Sequence, residues 1–273
     1  MKFAICNELF QDWPFDKVFA FTRECGYTGI ELAPFTMNSD AYAISASHRQ
    51  EVRRQARAAG LEVVGLHWLL AKTEGYYLTS PDADVRSSTA EYFAELARLC
   101  ADVGGKIMVL GSPQQRNLLP GVTHDEALKY AADTISRCVA TFAEHDVTLA
   151  LEPLGPAEGD FLRTAASAVE LMDRIDSPRV RLHLDVKAMS TEELDIPTII
   201  ERNADRVAHF HANDPNLLGP GMGDVDFAPI FAALRRIDYR GWVSVEVFDD
   251  TPGIEKIAQE SMSNMKASLK AED

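Results

Sequence analysis

The chain has 273 residues, 46% hydrophobic and 25% charged, the balance of a globular protein able to bury one large core. Acids outnumber bases 42 to 27, a formal net charge of −15, and no dense Lys/Arg stripe appears, so neither a phosphate backbone nor nucleic acid is an expected partner. No apolar run reaches the roughly 18 residues of a membrane span, and four cysteines without C-x-x-C spacing give no zinc ribbon or redox motif.

The opening MKFAICNELF lacks a basic segment followed by a long apolar core. A cytoplasmic protein with no membrane contact is therefore expected. Its first apolar run, 2–6, reads as a strand and leads into NELFQDW. A helical stretch then stops near Gly26, and a second strand is expected over 28–32. The next helix ends at Gly60, followed by a strand over 61–66. In the third interval Tyr92, Leu96, Leu99 and Cys100 form a 3.6-period stripe that Gly104 and Gly105 terminate. A strand over 106–110 follows, and then a helix opened by Thr123 with Asp125 and Glu126 in its first turn, where acids suit the helix dipole.

The second half repeats the alternation, with strands expected over 147–152, 180–185, 206–211 and 242–247. A short helix is expected near 196–203, and Asp226 reads as the N-cap of FAPIFAAL. Several strands are nearly continuous apolar runs, as expected when both faces are covered. Eight such alternations predict an α/β fold, a single (β/α)₈ TIM barrel forming one domain over 1–273. An open doubly wound sheet would carry a glycine-rich phosphate loop after its first strand, and NELFQDW is not one.

A barrel of this kind places its chemistry where the strands end. The last four strands end on Glu152, Asp185, His211 and Glu246. Three carboxylates drawn to one mouth repel unless a cation joins them. With one imidazole they form a hard, oxygen-rich donor set that suits Mn²⁺, Mg²⁺ or Co²⁺, and Zn²⁺ also accepts such ligands. The glycines after His211 are expected to fold that loop tightly over the mouth. Candidate substrate contacts are Glu8 after the first strand, His67 and Trp68 after the third, Arg116 after the fourth, and Lys187 beyond Asp185. His183 and His209 precede two ligands by two positions and share their face, so His183 is a further candidate.

In ALEPLG (150–155), LHLDVKAM (182–189), HFHANDPN with GPGMGDVDF, and VSVEVF (243–248), the chain resembles the xylose isomerase-like TIM-barrel superfamily. Within it, the resemblance is to the tagatose 3-epimerase and hydroxypyruvate isomerase branch. It implies that Glu152, Asp185, His211 and Glu246 bind a divalent metal, with Mn²⁺ the leading expectation. It also implies that Glu152 and Glu246 transfer protons at a carbon beside a carbonyl of a small carbohydrate, and that the protein is a homo-oligomer. The branch carries a histidine where this chain has Ala188 and an arginine where it has Leu217. Those departures open a second expectation, a lyase or hydratase acting on 3-keto sugars or keto-glycosides through the same enolate.

Overall fold

The computed structural model describes residues 1–270. Among them, eight parallel strands close into a barrel in chain order: β1 (Lys2–Cys6), β2 (Gly29–Leu32), β3 (Glu62–Leu66), β4 (Ile107–Leu110), β5 (Thr148–Leu151), β6 (Val180–Asp185), β7 (Val207–Ala212) and β8 (Trp242–Val245). The expected strands are all present, with ends moved by at most two residues. The helices are α1 (Phe15–Glu24), α2 (Ala46–Ala58), α3 (Ala83–Val103), α4 (His124–Ser136) and α5 (Val139–Glu144) in the first half. The second half has α6 (Ala165–Ile175), α7 (Val186–Met189), α8 (Ile196–Arg202), α9 (Phe227–Arg236) and α10 (Ile254–Lys270). No helix of the described residues is long and apolar enough to cross a membrane.

Local chemistry explains the boundaries. Gly26, Gly60 and Gly104 all have positive φ just beyond helix ends, and Gly104 at φ 97° caps α3 in the left-handed region. Thr123 and Glu126 exchange hydrogen bonds in a capping box at the start of α4, and Asp226 accepts from the Ala228 amide to start α9. On β6 and β7 the residues alternate with a period of two. Leu182, Leu184 and Phe210 turn outward into the apolar layer with Leu171 of α6 and Phe231 of α9, while their neighbours turn into the barrel.

Candidate active site

Strand register sorts the inward side chains into layers. β6 and β7 pair His183 with His209 and Asp185 with His211, so two polar layers lie one above the other near the strands' carboxyl ends. Glu152 follows β5 directly and Glu246 follows β8 directly, so each enters the upper layer from the first residue of a loop. All four are buried, Glu152 at 5% exposure, Asp185 at 1%, His211 at 0% and Glu246 at 2%.

His211 is the hub. Its Nδ1 lies 3.1 Å from Glu246 Oε2 and 4.0 Å from Glu152 Oε1. Donor atoms of Glu152, Asp185, His211 and His183 all lie within 4.8 Å of one another, whereas Glu246, expected with the first three, forms a separate group with Glu8 and His67 and meets the cluster through His211. Asp185 is fixed from two sides: one oxygen accepts the Ala188 amide at 2.8 Å and the other the Asn213 side-chain amide at 2.6 Å.

The electrostatics of this cluster fit a cation. Burial, and then the charge of Glu246, push Glu152 well above the ordinary carboxylate range and Asp185 up to about 6. Burial alone would raise Glu246 too. The His211 imidazolium, His67 and the Trp68 indole N–H outweigh it and hold Glu246 below its usual value. Buried carboxylates that cannot all ionise together, grouped with imidazole nitrogen, are the donor set that could hold one divalent ion.

Beneath the hub lies Glu31 of β2, fully buried. Its carboxylate is 3.2 and 3.3 Å from His211 Nε2 and 2.8 Å from His209 Nε2. Burial would raise Glu31, but the two histidines hold it well below the carboxylate range. A carboxylate on Nε2 turns the Nδ1 edge of His211 toward Glu152 and Glu246, the way an outer partner orients a ligating histidine. Glu31 lies outside the pattern of strand ends from which the other site residues were expected. The available signal was a lone acid within the apolar run GIEL, at the position that β1–β2 register sets beside Cys6. Asn213 and Gly111 were not among the expected residues either. A Cβ built on Gly111 would lie 1.8 Å from Glu152 Oε2, so this glycine makes the space in which that carboxylate sits.

Above the carboxylates opens a cavity of about 340 Å³, walled by Glu152, Glu246, Trp68, Phe248, Lys72 and Glu158 among others. Trp68 donates its indole N–H to Glu246 Oε1 at 2.8 Å and stacks on Phe248 at 6.3 Å between ring centroids. Lys187 bonds to Glu158 and holds its ammonium 4.2 Å from the Phe248 ring centroid. Glu8 binds His67 Nε2 at 2.6 Å and lines an adjoining space with Phe35 and Trp68.

Of the candidate substrate contacts, Trp68 lines both spaces and Glu8 the adjoining one, while His67, Lys187, Arg116 and His183 line neither. Arg116 is buried under its own loop, donates to the Leu110 carbonyl at 3.0 Å and does not line the cavity. Burial lowers its guanidinium to about 10, although Glu152 opposes that shift. His183 is fully buried, with Nε2 3.7 Å from Glu152 Oε1 and its ring 4.2 Å from that of His211.

The loop after β7 also differs from expectation: no residue of 213–223 lines the cavity. Asp214 closes the loop on itself by accepting the Gly223 amide at 3.1 Å. Asn264 of α10 then holds the Pro220 carbonyl at 3.1 Å, and the Leu217 carbonyl accepts the amides of Phe248 and Asp249. The loop therefore buttresses α10 and the segment after β8.

A family model described as xylose isomerase-like TIM barrel matches residues 19–268. A probable ketose 3-epimerase of Synechocystis sp. is 27% identical over 244 residues, covering 85% of this chain and 78% of that protein. The 3-dehydro-D-guloside 4-epimerase of Escherichia coli K12 is 24% identical over 254 residues, covering 90% and 92%. The crystal structure of D-psicose 3-epimerase from Clostridium cellulolyticum H10 with D-tagatose superposes with a TM-score of 0.87 at 18% identity, covering 98% of this chain and 99% of that one, a likeness of fold.

Proposed function

The chain belongs to the xylose isomerase-like TIM-barrel family, and on that premise we propose that it is a divalent-metal-dependent sugar isomerase or epimerase. In this reading Glu152 and Glu246 move a proton at the carbon next to a carbonyl of a small carbohydrate. The observation that carries it is the approach of both glutamates to His211 Nδ1, at 4.0 and 3.1 Å, on the wall of one cavity. Relatives named as epimerases of ketoses and of a keto-glycoside support the reaction class.

Glu152, Asp185, His211 and Glu246 would hold the ion, and the excess of carboxylate oxygen in that set leads us to propose Mn²⁺. When bound, the ion supplies positive charge beside the substrate's carbonyl and hydroxyl oxygens, which makes the neighbouring C–H acidic enough for a carboxylate. One glutamate takes that proton. The other returns one to the opposite face, giving epimerisation, or to the adjacent carbon, giving aldose–ketose isomerisation. Trp68 fixes the Glu246 carboxylate through its N–H and presents an aromatic face to the sugar. Lys187, paired with Glu158, would donate to substrate hydroxyls on release from that pair. His67 and Glu8 form a buried pair at the edge of the pocket, while Arg116 and His183 act on Glu152 from behind.

Incubation of the Mn²⁺-loaded protein with ketoses in D₂O tests this directly. Deuterium should enter the carbon beside the carbonyl. Glu246→Gln and Glu152→Gln should each lower the exchange by about 10²–10⁴-fold with the fold intact. Exchange at wild-type rate in either variant contradicts its role.

A second reading is elimination from a 3-keto sugar or keto-glycoside through the same enolate. One observation favours it: past Trp68 and Phe248 the cavity adjoins a further space of about 460 Å³ edged by Glu8, Gln11 and Phe35, room for an aglycone. Released aglycone, rather than isomeric sugar, distinguishes the two outcomes.

A further inference from the structure

Among the described residues four histidines point into the barrel, and three have a carboxylate at hydrogen-bond distance. His67 is 2.6 Å from Glu8, His209 is 2.8 Å from Glu31, and His211 lies between Glu246 at 3.1 Å and Glu31 at 3.2 Å. His183 stands apart. It is fully buried, and neither ring nitrogen has a hydrogen-bond partner among the described residues. A buried polar atom left without a partner costs about 1–3 kcal/mol, so such a group in a polar cluster calls for an explanation.

Its surroundings supply one. Within 4.8 Å of one another lie one donor atom each of His183, Glu152, Asp185 and His211. Donors that share an ion at about 2.1 Å sit at most about 4.2 Å apart, so only a small contraction separates this arrangement from a coordination shell. His183 Nε2 faces the same Glu152 oxygen that His211 Nδ1 faces, at 3.7 against 4.0 Å. The β6–β7 register sets His183 one layer below Asp185, on the inner side of the cluster and opposite the cavity.

We propose that His183 is a metal ligand from the barrel interior, making the centre a two-imidazole site that closes the inner side of the ion and leaves its outer side to substrate. This rests on the metal-dependent reading given above and adds to it a ligand and a selectivity. A second imidazole strengthens the site for Mn²⁺, Co²⁺ and Zn²⁺ and does little for Mg²⁺, which prefers oxygen and water.

Pulsed electron paramagnetic resonance of the Mn²⁺-loaded full chain, which counts nitrogen couplings from imidazole, reads the ligand directly. Two imidazoles are expected in the wild type and one in His183→Leu. Titration calorimetry should show Zn²⁺ and Co²⁺ bound at least 10-fold more weakly by His183→Leu, with Mg²⁺ affinity changed less than threefold. Should the variant fail to fold, the wild-type spectrum decides alone. Tight Mn²⁺ binding with a single imidazole coupling overturns this assignment and leaves the proposed function standing. Failure of the folded wild type to bind any of these ions overturns both.

Discussion

Single atoms decide what the upper layer of this barrel can do. Glu152 fits because residue 111 has no side chain, so Gly111→Ala should push the carboxylate off its position. Overpacking of this kind costs about 1–3 kcal/mol, and a misplacement near 1 Å costs about 10²-fold in rate. A thermal melt beside steady-state kinetics should show that activity loss far exceeds stability loss; full activity would mean that Glu152 is not needed where it sits. Asp185 carries a pH signature. It sits at about 6 in the fold against an ordinary 3.8, so between those values the folded protein holds a proton that an unfolded chain has released. Its contribution to stability in EDTA therefore falls as pH rises from about 4 to about 6, by on the order of 3 kcal/mol. Urea unfolding across that range should give a steeper fall for wild type than for Asp185→Asn, and parallel curves would contradict the account.

Among the elements, β2 contributes most that the chain did not announce. Glu31 holds His209 and His211 together from a strand whose other side chains are apolar. Its removal leaves buried His209 without a carboxylate and His211 with Glu246 alone. Breaking a buried pair costs about 3–5 kcal/mol. Glu31→Ala should therefore lower the melting temperature by about 6–10 °C, and a shift below 2 °C would show that the pairing is weak. The strand ends of β5 to β8 were legible because a polar residue closing an apolar strand has few reasons to be there except the barrel mouth. Glu31, Asn213 and Gly111 were not, because each acts through strand register or a close approach that only the closed barrel creates. The fate of Arg116 and of the segment 213–223 was hidden for the same reason. Whether a loop leans over the mouth or back onto α10 depends on contacts such as Asn264 with Pro220, made between residues 44 apart in sequence.

For the whole molecule, the alternation of strand and helix fixes the topology, and the closed barrel then assembles one centre from residues as distant as Glu31 and Glu246. An ion that joins such distant segments binds the folded state alone. Mn²⁺ at 100 times its dissociation constant should add about 2.7 kcal/mol of stability and raise the melting temperature by about 5 °C. The same addition should leave Asp185→Ala unmoved. An anomalous-scattering map from crystals grown with Mn²⁺ locates the ion. One strong peak per chain is expected, within about 2.5 Å of oxygens from Glu152, Asp185 and Glu246 and of Nδ1 of His211. A peak elsewhere in the protein, or density at this place without manganese signal, would contradict this placement.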